Sequence, residues 1–278
     1  MVRRLRRRPD RRRAALEVEL ERLREESARL RRRLGRLEGE RDLGYLFVLT
    51  YGRSGSTLVQ GILNSIPGFL IRGENRQALR HLWEFDRGLV AERSRMRRLQ
   101  RRAGDEPGSS DTTAPWFGID GYPHRRALAL TRQLALSTLL RPDEDTRVTG
   151  FKEIRWDQED TPEYVAWLRE VFPGARFVIN TRDLGAVSQS AWWGEQPGAT
   201  AKLVERERVL DALAGQLGEV AYRVHYDEFT ADPTVLRGLF DWLGEAFDEE
   251  RVRAVLDTRH SYQPPAAAQP AAEGDVDA

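Results

Sequence analysis

Residues 50–57 read Thr-Tyr-Gly-Arg-Ser-Gly-Ser-Thr, placing two glycines, one arginine and several hydroxyl side chains within eight positions. They follow a short apolar run, Tyr45–Thr50, suited to a buried strand, and precede a helical pattern over Thr57–Ser65. A strand-to-helix turn of this kind points backbone N–H groups outward. The helix N-terminus adds about half a positive charge, and Arg53 adds a permanent cation with planar donors. The combination predicts a cradle for a phosphate-type anion. A Walker A loop, G-x-x-x-x-G-K-[ST], agrees only at Gly55 and Thr57, with Thr50 at the first glycine and Ser56 at the essential lysine. The mismatch disfavours ATP-dependent kinase chemistry.

A second constellation lies further along. The run Phe177-Val178-Ile179-Asn180-Thr181-Arg182-Asp183 reads as a strand ending in Arg-Asp, and Ser190 follows Arg182 by eight positions. Eight residues are about two helical turns, so the serine of a following helix returns to the edge that carries the arginine. A cation and a hydroxyl then converge on one phosphate.

Taken together, the loop at 50–57 and the Arg182/Ser190 pair resemble the sulfotransferases that use 3′-phosphoadenosine-5′-phosphosulfate, in particular the bacterial and carbohydrate branch, which carries Arg where cytosolic members carry Lys. The resemblance implies a P-loop-like phosphosulfate loop in which Arg53, Ser54, Gly55, Ser56 and Thr57 hold the 5′-phosphate and the transferring sulfuryl group. It likewise implies that Arg182 and Ser190 bind the 3′-phosphate. Val224-His225-Tyr226-Asp227-Glu228-Phe229 resembles the family's Tyr-Glu-Asp-Leu strand end, which sets Tyr226 near the adenine, although the acidic pair here is Asp-Glu. Arg259-His260-Ser261-Tyr262 stands where members often add a C-terminal contact to the nucleotide. The implied reaction moves the sulfuryl group to an acceptor hydroxyl on a small molecule or glycan, a saccharide or glycolipid included, with no metal.

Such a transfer needs a base for the acceptor proton and charge stabilisation at the reacting atoms. Glu74, in Ile71-Arg72-Gly73-Glu74-Asn75, is similar in position to the glutamate base of several carbohydrate sulfotransferases and is the favoured candidate. Glu153 ends a strand near where cytosolic members carry a histidine base. His124, beside Gly121-Tyr122-Pro123, is a third candidate, as a residue that reaches the acceptor. Lys152 is one of only two lysines in the chain and ends the same strand as Glu153. It is expected to meet the bridging oxygen or the sulfuryl group, with Arg53 as a further catalytic cation and Arg155 as a rival for the Lys152 role. Trp192 and Trp193 suit either stacking on a sugar ring or core packing.

These residues require a framework of alternating strands and helices. Strands are expected at Tyr45–Thr50, Arg147–Phe151, Ala175–Asn180 and Val220–Tyr226. Helices are expected at Thr57–Ser65, Ala78–Arg102, Ala127–Leu140, Pro162–Phe172 with Thr161 as N-cap, Leu184–Trp193, Ala199–Leu217, Pro233–Leu243 and Asp248–Thr258. Residues 104–121, rich in Pro, Ser, Asp and Thr, form a long loop of the kind often tied to function. The alternation predicts an α/β fold, a three-layer α/β/α domain around a central parallel sheet.

Ahead of that domain, Leu16, Leu20, Leu23, Leu30, Leu34 and Leu37 follow a heptad seam if Ser27 fills the gap. The expected organisation is a basic disordered arm at 1–13, a coiled coil at 14–42, the sulfotransferase domain at 43–262 and a disordered Pro/Ala-rich tail at 263–278. Residues 16–37 would join copies into a homo-oligomer; the rival arrangement is a single amphipathic helix lying on the domain. The 278 residues carry a net charge of +1 that is unevenly spread. Sixteen arginines face nine acidic residues within 1–42, so the head is +7 and the rest −6. That balance gives no case for nucleic acid binding by the body. The absence of cysteine excludes disulfides and thiolate metal sites. No apolar run approaches a membrane span, and none follows the N-terminal arginines, so a cytoplasmic protein is expected. Two rival functions are a nucleotide kinase with a degenerate Walker A loop and a non-catalytic coiled-coil adaptor for a phosphorylated ligand.

Overall fold

The computed structural model describes residues 43–104, 112–190 and 193–258, together with Glu19, Arg22 and Glu26. The basic arm, the heptad seam, the Pro/Ala-rich tail, Trp192 and Arg259–Tyr262 lie outside the described residues, as does the stretch 105–111 of the long loop.

Five strands form one parallel sheet: β1 (Gly44–Leu49), β2 (Phe69–Arg72), β3 (Val148–Glu153), β4 (Arg176–Thr181) and β5 (Ala221–His225). Their order across the sheet is β2-β3-β1-β4-β5. The register pairs Leu49 with both Glu153 and Ile179, and Thr181 with His225, so the C-terminal strand ends share one edge. β1 is apolar throughout because both of its faces are covered. Tyr45, Phe47 and Leu49 point into one core layer with Phe151, Phe177 and Ile179. Leu46 and Val48 point into the other with Val148 and Val178.

The helices are α1 (Ser56–Asn64), α2 (Ala78–Ala103), α3 (His124–Leu134), α4 (Thr161–Val171), α5 (Leu184–Ser188), α6 (Ala199–Leu217), α7 (Tyr226–Ala231), α8 (Arg237–Leu243) and α9 (Glu249–Leu256). α1, α8 and α9 cover the Leu46/Val48 face through Val59, Ile62, Leu63, Leu239, Phe240 and Val252. α2, α4, α5 and α6 cover the opposite face through Leu79, Trp83, Tyr164, Leu168, Val187, Leu203 and Leu210. The result is the three-layer arrangement expected from the sequence.

Several local expectations change. The edge strand β2 was not anticipated; the segment is only four residues long, too short for its alternation to stand out. α4 is capped at Asp160, and Thr161 is its first, fully buried residue. α3 passes into a π-helical turn at Ala135–Leu140. The helix expected over Leu184–Trp193 ends at Ser188, so Ser190 sits just past α5, its N–H bonded to Val187 O at 2.9 Å. Tyr226 opens α7 instead of closing β5.

The order of strands creates a switch point. From β1 the chain runs to one side through β2 and β3, then crosses to β4 on the other side. α1 leaves β1 toward one face, and α5 leaves β4 toward the other. Between the ends of β1 and β4 the connections diverge, which opens a crevice at the edge where α/β sheets bind ligands.

Candidate active site

The loop after β1 turns sharply. Arg53 and Gly55 both adopt positive φ, 71° and 79°. At position 55 the reason for glycine is spatial as well: a Cβ there would stand 2.0 Å from Cδ2 of Tyr226. No side chain caps α1, and its first turn carries no acidic residue. Leu58 N–H bonds back to Gly55 O at 2.9 Å, which leaves the N–H groups ahead of it in that turn for an external acceptor.

The side chains of the loop divide into two sets. Ser54 is fully buried; its Oγ lies 2.6 Å from Thr50 Oγ1 and accepts from Asn180 Nδ2 at 3.1 Å. Asn180 Nδ2 also bonds Ser54 O at 2.9 Å, and Thr50 Oγ1 donates to Asn180 O at 2.7 Å. This hydroxyl network braces the turn. Ser56 is buried at the start of α1, while Arg53 and Thr57 face outward.

Arg53 joins the two predicted anion sites. Its Nε donates to Ser190 Oγ at 3.1 Å, and its carbonyl accepts from Arg182 Nη1 at 3.1 Å. Arg182 also lies over Tyr226, with Cζ 4.2 Å from the ring centroid. The Nε of Arg182 is buried without a hydrogen-bond partner, and the nearest carboxylate oxygen, Asp227 Oδ1, is 4.0 Å away. Arg53, Gly55, Arg182, Ser190 and Tyr226, drawn from three separate strand ends, thus meet at the switch-point crevice.

A second cluster forms at the ends of β2 and β3. Lys152 Nζ donates to Glu74 Oε1 at 2.7 Å. The Lys152 side chain is 5% exposed and that of Glu74 37%. Arg155 Nη1 stands 4.0 Å from Glu74 Oε2 and 3.1 Å from Glu153 Oε1. Glu153 itself is fully buried. It accepts from the backbone N–H groups of Asn75 at 3.3 Å, Gln77 at 3.0 Å and Ile154 at 2.8 Å. Four donors satisfy this carboxylate, and two of them belong to the loop that carries Glu74. Arg76 and Gln77 in that loop both take positive φ, a conformation L-residues rarely sustain without outside support.

His124 is placed elsewhere. Its Nε2 lies 3.0 Å from Asp86 Oδ2, which also accepts from Trp167 Nε1 at 3.0 Å. Tyr122 donates to Asp86 Oδ1 at 2.6 Å. Asp86 is 4% exposed, so this group fastens α3 and its preceding turn onto α2. Trp193 is buried in the core, where its Nε1 donates to Gly52 O at 3.0 Å.

Sequence reasoning passed over Tyr51, Asn180 and Asp227. Tyr51 Oη donates to Arg182 O at 2.9 Å and accepts from Arg182 N at 2.9 Å. Burial raises the pKa of the Tyr51 phenol, with Glu207 adding to the effect. Asp227 Oδ2 accepts from Asp183 N at 2.8 Å. Each lies within or beside a run quoted above, but periodicity gives no signal for contacts that depend on which strands become neighbours.

The sequence signature of the Sulfotransferase family matches residues 46–249, nearly the whole described domain. The chain belongs to this family. Members in general take their sulfuryl group from 3′-phosphoadenosine-5′-phosphosulfate, and the enzyme is a sulfuryl transferase. Among solved structures, the sulfotransferase domain from the Synechococcus PCC 7002 olefin synthase is similar at 20% identity, over 80% of each chain, with a TM-score of 0.45. The sulfotransferase domain from the curacin biosynthetic pathway is similar at 17% identity, over 76% of this chain and 77% of that one, with a TM-score of 0.47. A sulfotransferase from Mycobacterium avium shares 15% identity over 79% of this chain and 69% of its own, with a TM-score of 0.41. No curated protein sequence matches the chain. Among the described residues, no helix of this sulfotransferase is long and apolar enough to cross a membrane.

Proposed function

We propose that this sulfotransferase binds 3′-phosphoadenosine-5′-phosphosulfate across the β1/β4 crevice and sulfates a hydroxyl of a small-molecule or glycan acceptor. The observation that carries the reading is Arg53 bonded at once to Ser190 and, through its carbonyl, to Arg182. Two cationic sites thereby stand side by side, as a donor with phosphate groups at both its 3′ and 5′ ends requires. The site fits such a ligand on two further counts: the Arg182 Nε lacks a hydrogen-bond partner, and the α1 N-terminus lacks any carboxylate.

When bound, the donor supplies a sulfuryl group on a weak S–O bond to the 5′-phosphate. In our reading, Arg53, Gly55, Ser56 and Thr57 hold the 5′ end, chiefly through the N–H groups of the first turn of α1. Ser54 contributes its main chain, since its hydroxyl is committed to Thr50 and Asn180. Arg182 and Ser190 hold the 3′-phosphate, and Tyr226 offers a ring face beside Gly55 for the base. Glu74 accepts the proton of the acceptor hydroxyl as its oxygen bonds to sulfur. Lys152 and Arg53 meet the negative charge left on the departing phosphate oxygen. Glu74 is preferred to Glu153, which is enclosed and fully bonded, and to His124, which is tied to Asp86. No metal takes part in this scheme.

We further assign the catalytic domain to residues 43–262, with the arm at 1–13, a coiled coil at 14–42 and the tail at 263–278 as appendages of a cytoplasmic homo-oligomer. The family signature falls inside that domain. Support for the rest is the heptad spacing and the absence of cysteine.

The test is thermal stabilisation by 3′-phosphoadenosine-5′-phosphate, AMP and ATP at equal concentrations. The bisphosphate is expected to raise the melting temperature well above the other two, because ligand stabilisation grows with the ratio of concentration to Kd. Equal stabilisation by all three overturns the donor assignment.

A further inference from the structure

We infer that Tyr51 is a positioning residue that fixes the separation of the 5′ and 3′ phosphate subsites. The inference rests on the donor reading above and concerns how two loops from different strands keep one distance. β1 pairs with β4 only as far as Leu49 and Ile179. Beyond those residues the two chains head for opposite faces of the sheet, so strand register no longer holds them together. The anion-binding groups all lie past this point.

Several contacts cross the gap, and they differ in kind. Arg53 Nε to Ser190 Oγ, and Arg182 Nη1 to Arg53 O, are exposed bonds of the very groups that would turn to a bound phosphate. They are exchangeable when ligand arrives. Thr50 Oγ1 to Asn180 O sits one residue past the last paired positions, Leu49 and Ile179, still at the strand ends. Asn180 Nδ2 to Ser54 O, at 2.9 Å, and Trp193 Nε1 to Gly52 O, at 3.0 Å, steady the first loop alone. The Tyr51 hydroxyl is the buried group that holds the main chain of Arg182, on the 3′ side. Its side chain is fully buried, and it bonds both the N–H and the C=O of Arg182 at 2.9 Å. Tyr51 is two residues from Arg53 in sequence, so one rigid ring links the first loop to the backbone that launches the Arg182 side chain. Burial keeps the phenol neutral and therefore able to donate and accept at once.

A ligand with a single phosphate touches one subsite and is indifferent to their separation. A bisphosphate spans both. Loss of the Tyr51 hydroxyl is therefore expected to weaken the bisphosphate selectively, by about tenfold, the scale of one buried hydrogen-bonding group left unpaired.

The experiment is calorimetric titration of the full chain and of Tyr51→Phe with 3′-phosphoadenosine-5′-phosphate, AMP and 3′-AMP. In the wild type the bisphosphate is expected to bind more tightly than either monophosphate; if it does not, the donor reading itself fails. Given that preference, Tyr51→Phe is expected to keep both monophosphate Kd values within about twofold while the bisphosphate Kd rises about tenfold. An unchanged bisphosphate Kd, or an equal weakening of all three ligands, overturns the inference and leaves Tyr51 a structural residue. Tyr51→Gln, which keeps a polar end on a shorter arm, is expected to lose the same preference. It supplies the measurement if Tyr51→Phe folds too poorly to titrate, and retention of the wild-type preference there overturns the inference equally.

Discussion

Lys152 Nζ lies 2.7 Å from Glu74 Oε1, and the pairing is unequal: the ammonium is nearly enclosed, whereas the carboxylate still reaches solvent. The lysine is anchored at the end of β3, and the glutamate is carried on a loop held against that strand end. In the proposed scheme, an acceptor hydroxyl entering from solvent would meet the carboxylate first and the cation behind it. That order suits a base in front of a charge stabiliser.

Glu74→Gln tests the arrangement. The amide can still accept from Lys152 but cannot take a proton. Turnover is expected to fall by about 10²–10⁴-fold, the usual contribution of a general base, while the affinity for 3′-phosphoadenosine-5′-phosphate stays within about twofold. Transfer from labelled donor, paired with titration of the bisphosphate, reads both quantities. Full turnover in this variant would return the base to His124 or another group.

Glu153→Gln should behave differently. Its carboxylate accepts from three backbone N–H groups and the Arg155 guanidinium while fully buried. Replacing one oxygen by NH₂ sets a donor against donors. A loss of about 3 kcal/mol in unfolding free energy is expected, read by urea denaturation; Glu74→Gln, which leaves the enclosed Lys152 ammonium a neutral acceptor beside solvent, should lose clearly less. Equal stability of the two variants would remove Glu153 as the anchor of the Glu74 loop.

Gly55→Ala places a methyl group where the Tyr226 ring now lies, at a backbone φ of 79°. Either the ring moves or the loop does. Donor affinity is expected to fall at least about tenfold, since both the α1 N-terminus and the Tyr226/Arg182 stack are displaced. Binding of the bisphosphate followed by calorimetry would show it, and wild-type affinity would mean that neither group contacts the ligand.

Deleting residues 1–42 addresses the heptad seam of Leu16, Leu20, Leu23, Leu30, Leu34 and Leu37. Sedimentation equilibrium is expected to show a lower oligomer mass for the truncated chain, with transfer activity retained. An unchanged mass would favour a helix lying on its own domain over a coiled coil.

Much of this was legible from sequence because the informative residues are local. The turn at Gly55 needs glycine within one loop, and the alternation of apolar strands with amphipathic helices gave the layers. Two kinds of feature were hidden. Ser54 looks like a ligand-binding hydroxyl, yet Asn180, 126 residues away, claims it; only the β1/β4 adjacency brings them together. Likewise, Glu153 looked like a rival base, and its role as an anchor depends on a loop 76–78 residues earlier. The end of α5 at Ser188 was missed for a different reason: the apolar pattern runs on into Trp193, which is buried by tertiary packing and not as part of that helix.

Glu207 offers a test of the buried side of the site through pH. It sits on α6 with Oε1 3.4 Å from Tyr51 Oη, and burial, followed by the neighbouring Asp211, raises its pKa above the ordinary 4.5. A carboxylate with a raised folded-state pKa is easier to ionise in the unfolded chain. Its stabilising share is therefore complete at acid pH and is lost as pH rises from about 4.5 through the folded-state value. At neutral pH the ionised group is a net cost. Glu207→Gln removes the ionisation and keeps an acceptor for Tyr51. Because the site is partly solvated, the expected gain at neutral pH is small, a rise in melting temperature of no more than about 3 °C. Near pH 4 the variant and wild type should melt together. Thermal melts at the two pH values check it, and a variant destabilised equally at both would show that the Tyr51 contact, and not the buried charge, is what Glu207 contributes.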